Sequence, residues 1–347
     1  MHTEPLITIA IPTYKRVDYL RQALKSAVMQ TYFNLEILVS DNANEPEAEF
    51  AVREMCDPRI RYIPQPINLG MAGNWDALVQ QARGDYFIIL SDDDLLMSNT
   101  ISGLFKGLDN NPQSAFSFCS VCFINSEGYI KGIKLVKGGL YSGLNNVLEF
   151  LRGGNSPFLC GTLYDRKKFM ETTYFCNTSC RMASDAAAWM RVSLCYDAAF
   201  AVEEVYCGYR VHTDSQSNGA GIEGWKNDLD QLKLEIIYAL NQYGFEINES
   251  GVLKREFDQH CAQFMRNLII GTQHKNFVDM INAWSLIIHY RFLLIYNLGM
   301  ISFLFMFLYI LLPTFISDFL KHVKKSITSK FIPSLGLLNT KILSDFH

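Results

Sequence analysis

The first hundred residues alternate between short apolar runs and longer amphipathic stretches. The apolar runs are nearly continuous, which is typical of strands buried on both faces of a parallel sheet, and they cover Leu6–Ile11, Leu35–Ser40 and Tyr86–Leu90. The stretches between them predict helices over Val17–Met29, Pro46–Cys56 and Met71–Ala82. This alternation predicts an α/β sheet with right-handed crossovers, in which ligands bind beyond the carboxyl ends of the strands.

The remainder of the chain has a mixed pattern and then a helical one. The pattern predicts helices near Leu144–Leu151 and Asp185–Leu194, and from Gly224 onward it is mostly helical. Phe292–Ser317 contains no charged residue, and at ~1.5 Å per residue a helix of that length is able to span a ~30 Å hydrocarbon core. We therefore divide the chain into an α/β part at 1–222, a helical extension at 223–283, and an apolar, membrane-associating part with a basic tail at 284–347.

Composition excludes several classes of protein. Charged residues make up 19% and hydrophobic residues 49% of the 347-residue chain, so a large core is possible and disorder is not expected. The formal net charge of -4 provides no attraction to nucleic acid. The first residues lack the basic region and apolar core of a secretory signal, so we expect none. Nine unpatterned cysteines fit a reducing compartment, and we expect Cys119 and Cys122 to be buried strand cysteines rather than zinc ligands.

Three adjacent carboxylates, Asp92, Asp93 and Asp94, follow the run Tyr86–Leu90. Adjacent carboxylates repel one another, so they are stable either in water or beside a compensating cation. Mg²⁺ and Mn²⁺ prefer oxygen ligands, and a departing diphosphate needs positive charge, so one interpretation is a metal site. The other interpretation is a solvated acidic turn that caps a helix beginning near Ser98.

Two further segments follow predicted strands and have the chemistry of nucleotide binding. The carboxylate of Asp41 is able to accept a hydrogen bond from a base N–H. Gly70 and Gly73 precede a helix, where they permit close approach of the backbone to a ligand and where the helix N-terminus favours an anion. The alternatives are an ordinary turn at Asp41 and glycines that simply interrupt a loop.

An ordered series of segments resembles family 2 glycosyltransferases with the GT-A fold. The segments are ITIAIPTYKR, EILVSDNANE, NLGMAGNWDAL, ARGDYFIILSDDDLL, RMASDAAAWMRV and CGYRVHTDSQS. The resemblance covers about residues 5–220 and implies a Rossmann-like, mostly parallel nucleotide-binding sheet, followed by a helical membrane-associating region. Two positions depart from the family pattern, because Ser91 and Ser184 stand where acidic residues are frequent.

The resemblance implies inverting transfer of a sugar from a nucleotide-sugar donor, expected to be a UDP-sugar, to a glycan or lipid-linked acceptor, as in polysaccharide or O-antigen assembly. It implies that Asp185 is the general base; the alternative role for Asp185 is a helix N-cap. Mg²⁺ or Mn²⁺ is expected on Asp93 or Asp94, with His212 as a further ligand. The donor is expected to contact Pro12, Thr13, Asp41, Asn68, Gly70, Asn74, Asp92 and Arg210. For Arg210 and His212, the alternative is packing and surface ion pairing.

The C-terminal apolar stretch has three interpretations. A single span through Phe292–Ser317 places the basic tail outside, against the tendency of basic residues to stay on the cytoplasmic side, where nucleotide sugars are found. Helices lying in the cytoplasmic leaflet, with the tail on anionic headgroups, fit better. A buried helix is the third possibility. We therefore expect a peripheral or monotopic protein at the cytoplasmic face of the cell membrane, with no nucleic-acid partner.

Two other functions were weighed against transfer. A nucleotidyltransferase has a glycine-rich loop after its first strand, whereas the loop here, Pro12–Arg16, has no glycine. A membrane-attached protein that binds carbohydrate or nucleotide sugars without catalysis needs neither the acidic run nor Asp185. Both features therefore favour an enzyme.

Overall fold

The computed structural model describes residues 4–212, 221–245 and 255–264 of the chain. The strands are β1 (Ile7–Thr13), β2 (Leu35–Asp41), β3 (Ile60–Pro64), β4 (Tyr86–Ile89), β5 (Leu95–Leu96), β6 (Phe116–Ile124), β7 (Ile130–Lys134), β8 (Gly139–Tyr141), β9 (Thr162–Asp165) and β10 (Ala199–Arg210). The helices are α1 (Val17–Val28), α2 (Pro46–Glu54), α3 (Gly70–Gln81), α4 (Thr100–Asp109), α5 (Gly143–Leu151), α6 (Arg166–Thr172), α7 (Ser184–Tyr196) and α8 (Gly221–Gln242). Residues 255–264 are also helical, and short 3-10 turns lie at Leu159–Gly161 and Phe175–Asn177. The predicted helices and strands of the first hundred residues are confirmed.

In the described part of the chain, all the strands belong to one sheet, in the order β3-β2-β1-β4-β9-β6-β10-β5, with β7 beside β6 and β8 beside β10. The first four strands are parallel, as predicted. In the rest of the sheet β6 and β10 are also parallel, but the other pairs do not fit the expectation of a mostly parallel sheet, because β9 is antiparallel to both β4 and β6, and β5, β7 and β8 are antiparallel to their neighbours. In this half β6 and β7 are joined by a short turn, which only antiparallel strands permit.

The sheet separates two apolar layers. Successive residues of a strand point to opposite faces, so Ile37 of β2 packs toward the layer that contains Leu20 of α1, while Leu38 packs toward the layer that contains Trp189 of α7. All four side chains are buried. Burial of one such side chain contributes about 1.5–3 kcal/mol. The two layers therefore fix the strand ends, where the candidate site lies.

Helix α8 packs against α7 in the second layer, where Leu229, Leu232 and Ile236 are buried. The described start of the helical extension thus shares an apolar core with the α/β part, and the boundary near residue 222 stays a prediction. Among the described helices, none has the length and apolar character needed to cross a membrane. Phe292–Ser317 and the rest of the 284–347 part lie outside the described residues.

All nine cysteines lie in the described ranges as free thiols. Cys119 and Cys122 are fully buried in β6, which confirms the prediction for this pair. The sulfur atoms of Cys160 and Cys207 lie 3.7 Å apart in the same interior. These thiols pack in the core and are not arranged as a second pair of zinc ligands beside the C-x-x-C.

Candidate active site

The carboxyl ends of three adjacent parallel strands, β2, β1 and β4, meet at one edge of the sheet. Strand β1 extends to Thr13, which pairs in register with Asp41 at the end of β2. Pro12 also lies within β1 and pairs with Ser40, so its contact with a nucleotide stays a prediction. The acidic run begins at Asp92, separated from the end of β4 at Ile89 by Leu90 and Ser91, and completes this edge, as expected for a ligand site in a parallel sheet.

The acidic run is a buried turn. The N–H of Asp94 donates to the carbonyl of Ser91 at 3.0 Å, and Asp92 and Asp94 are only 6% and 3% exposed. The N-cap position of α4 is occupied by Asn99, so the run does not cap that helix. The interpretation as a solvated, capping turn is therefore wrong.

Asp92 points toward the end of β1. Its Oδ2 accepts hydrogen bonds from the Thr13 hydroxyl at 2.9 Å and from the Tyr14 N–H at 3.3 Å. The guanidinium of Arg16 lies 3.6 Å from its other oxygen. Burial, together with the neighbouring charge of Asp93, raises the pKa of Asp92 to about 7. Asp92 therefore connects the first strand to the acidic run, and its ionisation depends on nearby positive charge.

Asp93 is the member of the run that faces cationic side chains. Its Oδ2 lies 2.8 Å from Nη1 of Arg16 and 2.9 Å from Nε2 of His212. Its side chain is 13% exposed, against 8% for Asp92. The His212 ring also packs near Tyr19, with ring centroids 5.2 Å apart. The structure therefore brings together Asp93 and His212, which the sequence placed at the metal site.

Asp94 turns inward instead. Its Oδ1 accepts the backbone N–H of Arg210 at 2.8 Å, at the end of β10. Burial and the charge of Asp93 raise the pKa of Asp94 well above its usual range. Of the two carboxylates left open by the sequence as the main metal ligand, Asp94 is thus committed to the protein interior, while Asp93 faces the site.

The guanidinium of Arg210 is engaged by the protein itself. Its Nε donates to the carbonyl of Asp93 at 2.6 Å, and its Nη1 donates to the carbonyls of Asn125 and Ser126 at 2.9 and 2.8 Å. Its Nη2 donates to the side chain of Gln22 at 2.9 Å. Arg210 is only 2% exposed, and these contacts stabilise the acidic turn. A contact of Arg210 with a donor phosphate stays a prediction.

The carboxylate of Asp41 stabilises the loop that follows β2. It accepts the N–H groups of Ala43 at 2.9 Å and Glu45 at 2.7 Å, and the hydroxyl of Tyr62 at 2.8 Å. The turn considered from the sequence is therefore present. A further hydrogen bond from a nucleotide base to Asp41 stays a prediction.

Asn42 connects the loop after β2 to the Asn68–Gly70 loop, which the sequence predicts to contact the donor and which we call the donor loop. Its Oδ1 accepts the N–H of Leu69 at 2.8 Å, and its Nδ2 donates to Asn68 at 2.9 Å and to the Gly70 carbonyl at 3.1 Å. Gly70 has φ +73°, with no atom within 4 Å of an added Cβ, so backbone conformation is what favours glycine here. Asn74 is buried and exchanges hydrogen bonds with Ser40, at 2.5 and 3.2 Å. Its contact with the donor stays a prediction.

Asp185 lies in the first turn of α7, two residues after the N-cap residue Ala183, so it is not itself the N-cap. Its Oδ1 accepts the N–H of Ala186 at 2.8 Å, and its side chain is partly exposed. Among the described residues, no cationic side chain forms an ion pair with it. Burial, with a smaller contribution from the charge of Asp228, raises the pKa of Asp185 to about 6. Such a carboxylate is ionised at pH 7 and more basic than usual, which suits a general base.

The chemistry of the acidic edge fits a divalent cation shared with a substrate. Within the ranges that the structure describes, no three His, Cys, Asp or Glu side chains converge as a complete metal cluster. Asp93 and His212 nevertheless supply one oxygen and one nitrogen ligand. Burial and then the charge of Asp93 raise the pKa of Asp92, so added positive charge here would favour its ionised form. Because Mg²⁺ commonly takes one or two carboxylates and completes its shell with phosphate oxygens and water, these residues fit Mg²⁺ or Mn²⁺.

The sequence model of glycosyl transferase family 2 matches residues 8–194, which include the donor loop, the acidic run and Asp185. The chain belongs to glycosyl transferase family 2. It is therefore a glycosyltransferase, which confirms the resemblance inferred from the motif series and sets aside the nucleotidyltransferase alternative.

Among curated proteins, this family 2 glycosyltransferase is similar to a GalNAc(5)-diNAcBac-PP-undecaprenol beta-1,3-glucosyltransferase of Campylobacter jejuni. The two are 27% identical over 271 residues, which cover 76% of this chain and 81% of that enzyme. The chain spans less than half the length of several other glycosyltransferases that it matches.

Solved structures of glycosyltransferases have a similar fold. Residues 1–349 of S. aureus TarS in complex with UDP align with a TM-score of 0.54 and 16% identity, covering 78% of this chain and 73% of that one. The mannosyltransferase PcManGT of Pyrobaculum calidifontis, in complex with GDP-Man and Mn²⁺, aligns with a TM-score of 0.51 and 14% identity, covering 89% and 88%. At this identity the likeness shows the fold alone, which is GT-A.

Sequence reasoning missed three residues that organise the site. Arg16 and Asn42 lie inside the motif segments, near residues that the sequence predicts for the site. Their polar side chains are the local feature that indicates a role. Asp228 lies beyond the segments that resemble the family, on α8, and nothing in its local sequence indicates a role.

Proposed function

We propose that this family 2 glycosyltransferase moves a sugar, with inversion, from a nucleoside-diphosphate donor to a hydroxyl of a lipid-linked glycan during synthesis of a cell-surface polysaccharide. The observation that carries the proposal is Asp185, a partly exposed carboxylate with a pKa of about 6 and no cationic partner among the described residues. An ion pair would lower both its basicity and its access to an acceptor. A protein that only binds sugars has no need of such a group.

Asp185 accepts the proton of the acceptor hydroxyl as that oxygen attacks the anomeric carbon of the donor. The new bond joins the acceptor oxygen to the anomeric carbon, and the bond between that carbon and the phosphate oxygen breaks with its electron pair leaving on the diphosphate. Because attack comes from the face opposite the leaving group, the anomeric configuration inverts.

The diphosphate is placed at the acidic edge. Asp93 and His212 would hold Mg²⁺ or Mn²⁺ there, and this ion, when bound, supplies positive charge for the charge that develops on the leaving diphosphate. Arg16 contacts Asp93 at 2.8 Å and adds a permanent positive charge to the same place. The complex of PcManGT with GDP-Man and Mn²⁺, a protein of similar fold, supports a divalent cation beside a nucleotide-sugar donor.

The nucleotide lies along the β1 and β2 ends, against Thr13 and Asp41, and its sugar faces the Asn68–Gly70 loop. The complex of TarS with UDP supports a nucleoside diphosphate as the ligand, and we favour a UDP-sugar. The name of the Campylobacter jejuni enzyme specifies a polyprenyl-diphosphate-linked acceptor, which supports a lipid-linked acceptor here. We accordingly place the protein at the cytoplasmic face of the cell membrane, with the 284–347 part as its contact.

One experiment tests the function. The purified full chain is incubated with Mn²⁺ and a panel of UDP-glucose, UDP-galactose and UDP-GlcNAc, and released UDP is measured with water as the acceptor. We expect release from at least one donor, lost on chelation of the metal and in Asp185→Asn. Tight UDP binding with no release from any donor, even with added membrane lipid extracts, would instead identify a binding protein.

A further inference from the structure

The turn before α7 is organised by a carboxylate from another helix. Asp228 of α8 is 5% exposed, and its two oxygens accept the N–H of Arg181 at 3.0 and 3.1 Å. Its Oδ2 also accepts the N–H of Ala183 at 2.8 Å and that of Met182. Three consecutive backbone N–H groups thus converge on one side chain, immediately before Asp185.

These contacts hold the chain where it enters α7. The N-cap residue Ala183 has no side-chain acceptor, and Asp228 accepts its backbone N–H together with those of the two residues before it, so another helix fixes the entry to α7. The negative charge of Asp228 is also favourable at a helix N-terminus. Hydrogen bonds to an ionised acceptor are stronger than neutral ones, so the backbone next to Asp185 is firmly located.

Carboxylates also hold the segment of chain that precedes residues 181–183. Asp76 of α3 accepts the N–H groups of Phe175 at 2.7 Å and Cys176 at 2.8 Å. Glu235, which lies about two turns along α8 from Asp228, accepts the N–H of Ser179 at 3.1 Å. Buried carboxylates from α3 and α8 therefore determine the path of the chain up to the first turn of α7.

We propose that Asp228 is a positioning residue for the transfer reaction, which from α8 holds the backbone of residues 181–183 and so sets where Asp185 presents its carboxylate to the acceptor. This inference rests on the proposed role of Asp185 as the base. It assigns a part in the reaction to α8, which lies beyond the residues matched by the family model. A base displaced by about 1 Å is expected to lower the rate by up to about 10²-fold.

The pH dependence of the rate provides a second measurement, because it depends on the charges around Asp185 and a change in fold stability alone would not alter it. The titratable groups that act on its carboxylate are Asp228 from α8, Tyr164 from β9 and Cys180 from the preceding turn. Asp228 is the nearby acid whose charge raises the pKa of Asp185. Removing that charge should lower the pKa of Asp185, and the acid limb of the pH–rate profile should move to lower pH.

Two variants of the full chain separate charge from position. Asp228→Asn removes the charge and, with its oxygen at the position of Oδ2, turns an NH₂ donor toward the N–H of Arg181, which the other carboxylate oxygen accepts at 3.0 Å in the wild type. Asp228→Glu keeps the charge but lengthens the side chain by one methylene. We measure kcat for UDP release from whichever of UDP-glucose, UDP-galactose and UDP-GlcNAc the wild type hydrolyses, with Mn²⁺, between pH 5 and 8, together with UDP affinity by calorimetry.

Asp228→Asn should lose about tenfold or more in kcat, keep UDP affinity within about twofold, and shift its acid limb to lower pH. Asp228→Glu should also lose kcat, with the acid limb unmoved. Asp230→Asn, an exposed acid on the same helix, is the matched control and should behave as wild type.

The proposal is overturned if Asp228→Asn folds and retains kcat, or if kcat and UDP affinity fall in parallel. If Asp228→Asn does not fold, Asp228→Glu decides, since full activity in that variant rejects positioning. Failure of both variants to fold makes Asp228 a folding residue and also rejects it. A wild-type chain that releases no UDP from any donor contradicts the proposed function itself, whereas an active wild type with an unaffected Asp228→Asn contradicts only this inference.

Discussion

Replacing Asp185 with Asn should make the protein more stable and nearly inactive at the same time. The protein raises the pKa of Asp185 from its ordinary 3.8 to about 6, which means that the fold disfavours the ionised form. At about 1.4 kcal/mol per pKa unit this cost is at most about 3 kcal/mol, and partial exposure reduces it, so we expect a gain of about 1–2 kcal/mol. Asn keeps the acceptor for the Ala186 N–H and carries no charge.

The pH dependence follows from the same shift. Because the native pKa lies above the unfolded one, the native state binds the proton more tightly, and the cost of ionisation is complete above about pH 6. The cost disappears as the pH falls below 3.8, where the carboxyl is protonated in both states. Urea denaturation should therefore show Asp185→Asn to be more stable than wild type at pH 8, with a difference that shrinks toward zero as the pH falls below 3.8.

The activity measurement is UDP release at saturating donor, compared with UDP affinity. A missing general base should lower kcat by about 10²-fold or more, with donor affinity unchanged. The wild-type rate should fall as the pH drops through about 6. Asp165→Asn is the matched control, because Asp165 is the N-cap of α6 and accepts the N–H of Lys168 at 3.0 Å, a role that Asn performs equally well. A near-normal rate in Asp185→Asn, or a loss of stability at pH 8, would refute the reasoning.

Three further predictions concern the acidic run and the C-terminal part. Asp93→Ala should lose Mn²⁺-dependent UDP binding by calorimetry while its melting temperature stays near that of wild type, because its contacts face the site; unchanged binding would contradict this. Asp94→Ala should lower stability by about 1–3 kcal/mol in urea titrations, since it leaves the buried N–H of Arg210 without a partner. A chain ending at residue 283 should leave the membrane fraction and still bind UDP, whereas recovery of the full chain in the soluble fraction without detergent would contradict membrane association.

The parallel half of the sheet was predictable because its strands are buried on both faces. Such strands are continuous apolar runs, and the runs of β1, β2 and β4 were recognised. Strand β3 was not singled out, because it lies at the sheet edge with intermediate burial and has the mixed sequence IRYIP. The antiparallel half depends on pairings between segments that are distant in sequence, such as β4 with β9, which local periodicity does not encode.

The sequence identified the residue types of the site but not the direction in which they point. Asp92, Asp93 and Asp94 are chemically identical neighbours, and their separate roles depend on Thr13, His212 and the backbone of Arg210. The partner of Asp94 lies 116 residues away along the chain. No local pattern distinguishes a carboxylate that faces a site from one that turns into the core.

Asp228 shows a second limit of the same kind. Its partners are the backbone N–H groups of residues 181–183. Every residue other than proline has such a group, so the residue types at these positions do not indicate the contact. Motif reading finds constellations of side chains. It does not find a carboxylate whose task is to arrange the main chain.

The donor and acceptor sides of the site are connected by such main-chain contacts. Helix α3 begins at Gly70 in the donor loop, and two turns later its Asp76 accepts the N–H groups of Phe175 and Cys176. The same segment then passes to Asp228 and ends at Asp185. The position of the donor loop and the position of Asp185, the proposed base, are therefore set by one hydrogen-bonded path rather than by two independent loops. In a reaction that requires the hydroxyl, the anomeric carbon and the leaving oxygen to be in line, a common frame for both sides is what keeps their geometry fixed.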